Sequence, residues 1–415
     1  MAEPYLVFFP KIIFVLLNLV HIILLWRTKK FKPLLIMYLF FYSYVLGYIP
    51  YIFFDFIPQD IYGISFEYGL FKLIYIHLFF IVTLVLFQCK ITSEILLSVY
   101  FKKIRNDILL SSVILIMFVF ALTAVSGQTI LSSSYGSGKT SQGILPGEYF
   151  LLFIPISYIF IYKNSFKKRL VFLSVYVFII VGLLFGYRNY LVQAVLMLFN
   201  LFVFNKVRIN FFRTLVTFIF LFIFLSVFGQ IRASLNDFSA IDVSSLTEFS
   251  SIDAFIIDKF GHQMDVIYSS VRFISMVLSD FISIGDRFVS AVSSHIALFV
   301  PFKFLPNLAN LAAYKQDELY SNGGGFIFAY YYVYGGYLGV FFAGLFICWI
   351  VNKLILNHES LNNSFLIFFS LFCVTYVRWF AYNPITLFKL PFYGMLVYLL
   401  LLEVFKKHNY VRNLR

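Results

Sequence analysis

Three arginines stand where almost nothing else is charged. Arg188 lies in LLFGYRNYLVQ, residues 183–193, and is the one acidic or basic residue between positions 170 and 205. Arg378 lies in CVTYVRWFAYNP and Arg232 in GQIRASLND, each beside an apolar run. A guanidinium is a planar fork of five donors that grips phosphate oxygens bidentately, so the chemistry on offer is the binding of a polyanion. The competing reading for each is snorkelling, with the stem in lipid and the head among lipid headgroups. His295 can serve as a general base near neutral pH. It is spaced to share a helical surface with Asp286 and with Arg287, a further candidate cation. Asp317 and Glu318, in AYKQDELYSNGGG, can accept a proton from a hydroxyl or form a solvated loop.

The elements that must position these residues are set by composition. The 415 residues are 61% hydrophobic and 22% aromatic, with 12% charged. A soluble domain carries about 25% charged residues, so much of this chain has lipid as its solvent. The reading is an all-α integral membrane protein. Apolar runs of spanning length fall near 5–26, 33–54, 68–89, 107–125, 148–162, 170–187, 189–205, 214–229, 325–351, 364–382 and 388–404. That is about eleven transmembrane helices, with one large extracytoplasmic loop. The stretch 170–205 would make a helix of about 54 Å at 1.5 Å per residue, too long for a hydrocarbon core of about 30 Å. It must be two helices that break at GYRN, which puts Arg188 at a membrane surface. Three regions follow: a membrane bundle over 1–229, a large loop with amphipathic helices over 230–324, and a membrane part with a tail over 325–415.

Sidedness comes from the basic residues, which mark cytoplasmic links. Arg27, Lys29, Lys30 and Lys32 follow the first run; Lys90, Lys102, Lys103 and Arg105 follow the third. Lys163, Lys167, Lys168 and Arg169 follow the fifth, Lys206, Arg208 and Arg213 the seventh, and Lys406, Lys407, Arg412 and Arg415 the last. The links between carry Asp55, Asp60 and Glu67, or the lone Lys139. The N-terminus is then outside the cytoplasm and the C-terminus inside it. The net charge of +13 is a topology signal, and no nucleic-acid partner is expected. The start, MAEPYLVFFPK, has no basic n-region or A-x-A site, so the first run is expected to remain as a span.

Other motifs are weaker. YGSGKTS, residues 135–141, lacks the first glycine of a phosphate loop, since position 133 is Ser. Cys89, Cys348 and Cys373 have neither disulfide nor metal-ligand spacing. No H-E-x-x-H, paired C-x-x-C or D-x-D pattern occurs, so neither metal nor other cofactor is expected. Lys72 and His77 fall inside the third run, five residues apart, and do not share a helix face well; Lys72 can snorkel, and His77 reads as hydrogen-bonded structure. Ile267, Val271, Ile274, Leu278 and Phe281 recur at helical spacing among Asp265, Ser269, Arg272 and Asp280. They predict an amphipathic helix lying on the membrane or capping the bundle. The segment SHIALFVPFKFLP, residues 294–306, has the composition to dip into the membrane and return. In SNGGGFIFAYYYVYGGYLGVFFAGL, Gly335, Gly336, Gly339 and Gly344 suit close helix packing in lipid. Tyr330, Tyr331, Tyr332, Tyr334 and Tyr337 suit an interfacial belt, or stacking against sugar rings.

With these residues in place, the layout resembles the O-antigen or oligosaccharide repeat-unit polymerases, the Wzy type. Two motifs carry the resemblance: Gly186-Tyr187-Arg188 at an outer turn, and Gly336-Tyr337-Leu338-Gly339 in a glycine-rich, aromatic late span after the large loop. Tyr330 and Tyr334 stand where many members of the family carry Glu and Asn. The resemblance implies a bundle similar to the lipid-dependent, GT-C-like glycosyltransferases. It implies a nucleotide-independent enzyme of the bacterial inner membrane. That enzyme joins undecaprenyl-pyrophosphate-linked oligosaccharide units at the periplasmic face. A chain-length regulator as partner follows from the resemblance alone, and membrane lipid is the surrounding partner. In these terms Arg188, Arg232, Arg287 and Arg378 would bind pyrophosphate, with Arg188 also catalytic. His295, Asp317 or Glu318 would activate the acceptor hydroxyl, and Tyr332 and Tyr334 would contact the glycan. A ligase sharing the layout and a flippase of lipid-linked sugars are the alternatives. A cysteine at position 188 should react with a membrane-impermeant thiol reagent from outside the cell. Arg188→Ala should abolish polymer while leaving the protein in the membrane.

Overall fold

The computed structural model describes residues 4–54, 56–123, 146–161, 165–184, 188–203, 212–213, 215–216, 252–312, 314, 324–357, 360–379 and 384–413. Among them there is no β-strand, only an isolated bridge between Ile61 and Ile64. The helices are α1 (Pro4–Thr28), α2 (Lys32–Val45), α3 (Tyr48–Phe53), α4 (Phe66–Phe87), α5 (Asp107–Thr123), α6 (Pro146–Phe160) and α7 (Ser165–Leu184). They continue as α8 (Arg188–Leu198), α9 (Ile252–Leu278), α10 (Ile284–Ile296), α11 (Ile327–Asn357), α12 (Asn363–Trp379) and α13 (Ile385–Asn413). Each apolar run of the sequence falls on a helix, except 214–229, of which only residues 215–216 are described.

Five helical segments are long and apolar enough to cross a membrane: Phe9–Thr28, Lys32–Phe53, Phe66–Phe87, Ile327–Asn357 and Leu387–Val404. Asp107–Leu122, Tyr149–Phe160, Leu191–Val203 and Asn363–Thr375 are shorter apolar helices. The long stretch 170–205 is two helices, α7 and α8, which pack on one another; the joint at 185–187 lies outside the described residues. α8 ends in a π-helical turn, Phe199–Val203.

The chain divides into two compact units that interleave along the sequence. The first comprises Met1–Ser93, Ile209–Asn352 and Arg378–Ile385; the second comprises Glu94–Arg208, Lys353–Val377 and Thr386–Arg415.

In the first unit α4 is the pillar, packed against α1 and α9. Its last carbonyls have no intrahelical donors, and side chains supply them. Arg27 of α1 donates to Val85 O, and to Gln88 O at 2.9 Å. Asn352 of α11 donates to Phe87 O at 2.8 Å and accepts from Cys89 N at 2.7 Å. Tyr38 of α2 donates to the Gln88 side chain. α1, α4 and the later part of α11 therefore reach the same end of the unit together. Midway along, His21 and His77 meet Nε2 to Nε2 at 3.3 Å, and the Tyr48 hydroxyl lies 3.2 Å from His77 Nδ1. Phe41 and Phe328 stack on the His77 ring, with centroids at 5.0 and 4.3 Å.

α9, expected to lie on the membrane or cap the bundle, is packed within the first unit against α4, α3 and α2. Ile267, Val271 and Ile274 are fully buried, but so are Ser269, Ser270, Arg272 and Ser275. The reason is the size and bonding of the polar face. Ser270 Oγ returns a hydrogen bond to Val266 O at 2.7 Å and accepts from Phe326 N at 2.8 Å. Arg272 Nη2 donates to Leu311 O at 3.0 Å. Ser270 and Arg272 each bond backbone outside their own helix, Ser269 and Ser275 are small enough to be packed beside them, and Asp265 stays exposed. Gly47 makes room for it: a Cβ there would stand 2.7 Å from the Gln263 backbone.

In the second unit α5 packs on α6 and α7. Lys167 bridges to Asp107 at 3.1 Å. Asn363 is the buried tie: it accepts from Lys102 N at 2.9 Å and donates to Lys102 O at 2.8 Å and the Tyr398 hydroxyl at 3.2 Å. Lys103 lies 3.0 Å from the centre of the Tyr158 ring. Burial, with Lys168 nearby, pushes its ammonium down to about 7. Of the basic residues in that link, Lys103 is thus only partly charged near neutrality.

Asn352→Leu keeps the volume but strands the Phe87 carbonyl and the Cys89 amide. Each bond lost at this partly exposed end costs about 0.5–1.5 kcal/mol. The expected result is a clearly lower thermal midpoint in detergent, read by following unfolding of the purified protein.

Candidate functional site at the break in α11

α11 is interrupted at Gly335 (φ −148°, ψ 21°) and Gly336 (φ 60°, ψ −146°). The Gly336 conformation is essentially closed to any residue with a Cβ. The interruption folds the second half back on the first: a Cβ on Gly339 would fall 2.2 Å from the Tyr331 carbonyl oxygen. Breaking a helix frees carbonyls on one side and amides on the other. The freed carbonyls are taken up by α10. Arg287 Nε donates to Val333 O at 2.6 Å and its Nη2 to Tyr332 O at 3.4 Å. Ser283 caps the start of α10 by accepting from Asp286 N at 3.1 Å, which fixes where Arg287 falls.

His295, in the last turn of α10, completes this side. Its Nδ1 lies 2.6 Å from Ala291 O. A carbonyl only accepts, so Nδ1 carries the hydrogen and Nε2 of the neutral ring is the free acceptor. Nε2 faces the Tyr331 hydroxyl at 3.3 Å. The Tyr331 and Tyr334 rings meet the imidazole edge to face, with centroids at 5.9 and 6.0 Å. The buried Tyr334 hydroxyl approaches Ser294 without completing a bond of normal geometry. His295 itself is exposed.

The other side of the break faces α4. Lys72 places its ammonium 5.2 Å from the Tyr337 ring centre. Tyr332, Tyr75 and Phe79 surround that ring edge to face at 5.6, 6.2 and 5.6 Å. Tyr332 thus lies in the field of both Lys72 and Arg287. Depth follows from helix rise. Tyr337 to Asn352 and Lys72 to Gln88 are each about 22–24 Å at 1.5 Å per residue. Both halves of the site therefore stand at about the same height above the Arg27–Asn352 clamp.

Four residues singled out in the sequence, Arg287, His295, Tyr332 and Tyr334, are brought together here. Arg287 spends two guanidinium nitrogens on carbonyls, so it holds the break in shape. Arg188 is the first residue of α8, in the other unit, and Arg378 lies in the last turn of α12; their side chains are outside the described residues. Arg232, Asp317 and Glu318 also lie outside the described residues. Lys72, read from the sequence as snorkelling, and Tyr331, read only as part of a tyrosine belt or sugar platform, also belong to the site. The signal for Lys72 was a lone cation in the most hydrophobic of the five membrane-length helices. Chemically, the site offers one cation that forms no salt bridge, one base and several hydroxyls. Among the described residues no group of three His, Cys, Asp or Glu side chains is placed to hold a metal ion.

Comparison with known proteins returns no matching family model, no matching curated protein and no matching solved structure.

Gly335 and Gly336 both have open space where a Cβ would go, and only Gly336 has a positive φ. Gly336→Ala should therefore cost about 1–3 kcal/mol of backbone strain, and Gly335→Ala much less. Thermal midpoints of the two variants, measured side by side, check this.

Proposed function

We propose that the chain is a glycosyltransferase of the bacterial inner membrane. It joins undecaprenyl-pyrophosphate-linked oligosaccharide repeat units into O-antigen or a similar surface polysaccharide. In this reading it crosses the membrane about eleven times, with the N-terminus in the periplasm and the C-terminus in the cytoplasm. The break in α11 then faces the periplasm. The observation that carries the reading is the convergence on the α11 break of the Lys72 ammonium from one side and the exposed His295 imidazole from the other; in this reading the break lies at the periplasmic membrane border. A lipid-linked donor presents its pyrophosphate at that border, and its sugar just above.

The proposed reaction balances as follows. The acceptor hydroxyl oxygen attacks the anomeric carbon of the donor glycan, and its proton passes to His295 Nε2. The bond from that carbon to the pyrophosphate oxygen breaks, and the lipid pyrophosphate leaves with the electron pair. Lys72 offsets charge that develops on the leaving group, which is worth most where water is excluded. The arginines singled out in the sequence, Arg188, Arg232 and Arg378, would hold the remaining phosphate charge. Tyr337, half-buried, offers its ring and hydroxyl to the sugars, whereas Tyr332 is buried behind it. Energy comes from the donor bond, so no nucleotide is required.

A second reading is favoured by one observation. Spans broken near the membrane, with free helix ends, are also how many transporters bind ions and anionic substrates. A flippase of lipid-linked sugars would use the same break. Purified protein given lipid-linked repeat units without nucleotide separates the two. A ladder of longer glycans is expected. Movement of the lipid across vesicles without new glycosidic bonds would replace the polymerase by a flippase. His295→Gln should reduce ladder formation by about 10²–10⁴-fold, the usual contribution of a positioned base.

A further inference from the structure

α10 is built inside out. Its buried face is Ser290, Ser293, Ser294 and, just past its end, Ala297, all 5% exposed or less. Its outward face is Ile284, Phe288, Val292 and Ile296, continued by Phe299 and Phe304, with exposures of 83, 69, 42, 43, 64 and 70%. In water the serines would face out and the phenylalanines in. The serine hydroxyls gain nothing from their burial but internal bonds: Ser290 donates to Leu308 O at 2.7 Å, Ser293 to Val289 O at 2.6 Å and Ser294 to Ala291 O at 2.9 Å. Polar groups satisfied against backbone, with large apolar groups turned out, are the arrangement of a helix in hydrocarbon.

The surroundings say which hydrocarbon. Arg287 and His295 tie α10 to Val333 and Tyr331, inside a helix of membrane length. Beyond the break that helix turns out Leu338, Phe342 and Trp349, at 69, 62 and 55% exposure. The α10 face therefore lies near the break, and the helix beyond the break exposes residues of the same kind. Its two ends suit a border: Asp280 and Ser283 precede it, Asp286 lies in its first turn, and the Lys303 ammonium lies 4.7 Å from the Phe304 ring at its return.

We infer that the segment Ile284–Phe304 is immersed in the acyl-chain layer of one leaflet, with its phenylalanine face against lipid tails. The lengthwise membrane dip expected for 294–306 thus extends back through the whole of α10. The flank of the site at His295 opens sideways into the leaflet. The inference is independent of which reaction the site performs.

Nitroxide labels test it in the full-length protein in vesicles of phosphatidylethanolamine and phosphatidylglycerol. Cys89, Cys348 and Cys373 are first replaced by Ala. Single cysteines at Ile284, Phe288 and Phe299 are then labelled, with Leu338 as a lipid control and Asp60 as a water control. Collisions with oxygen should exceed those with a water-soluble nickel complex severalfold at all three sites, as at Leu338. Nickel collisions matching Asp60 would overturn the inference, and so would labels reached by neither probe, which would mean that protein covers the face. Phe288→Lys, made in the native-cysteine protein, guards against misfolding of the altered background. It should lower the thermal midpoint in vesicles, and an unchanged or higher midpoint would also overturn the inference.

Discussion

A backbone amide or carbonyl in hydrocarbon has no water to fall back on, and each one left unpaired costs several kcal/mol. That constraint explains where the polar side chains of the first unit went. Arg27, Asn352 and, through Gln88, Tyr38 converge on the frayed end of α4 because its last carbonyls would otherwise face lipid. Arg287 meets the same demand at the interruption of α11. The site at the break is thus a by-product of helix termination inside a membrane-length segment. Once the helix stops, donors must be brought to it, and the donors bring their own neighbours, His295 among them.

The helical architecture was legible because it rests on local pattern. Apolar runs of sufficient length fix helices, and the arithmetic of residues 170–205 forced two helices where one run was seen. Other features depend on pairs far apart in the chain. His77 was read as bonded structure, but its partner His21 lies 56 positions away and carries no mark of its own. Lys72 gains its meaning from Tyr337. α9 was read as lying on the membrane or capping the bundle, and its burial was not legible: Ser269, Ser270 and Ser275 score as surface residues yet are small enough to be packed away, Ser270 bonded to its own backbone. The serine and apolar faces of α10 were not read from the sequence at all; its serines are buried and Phe288 is exposed.

The candidate site was legible in part. Arg287, His295, Tyr332 and Tyr334 are a sequence-level guess that tertiary structure gathers at one place, although the reason given for Arg287, anion binding, differs from the carbonyl bonds it makes. The tyrosine cluster was read as belt or sugar platform. It is in addition the hydrogen-bonding surround of an imidazole, which only the approach of α10 creates. The pair of glycines was read for close packing between helices. Their larger effect is on a single helix, whose course one positive φ redirects.

The overlap of Gly339 with the Tyr331 carbonyl has a mechanical meaning. Two rods joined by a pair of glycines would ordinarily swing freely. Here the second rod is seated against the first with no clearance, and the guanidinium of Arg287 pins the joint from the side. The elbow is set like a bracket. Any side chain at position 339 would pry the two rods apart.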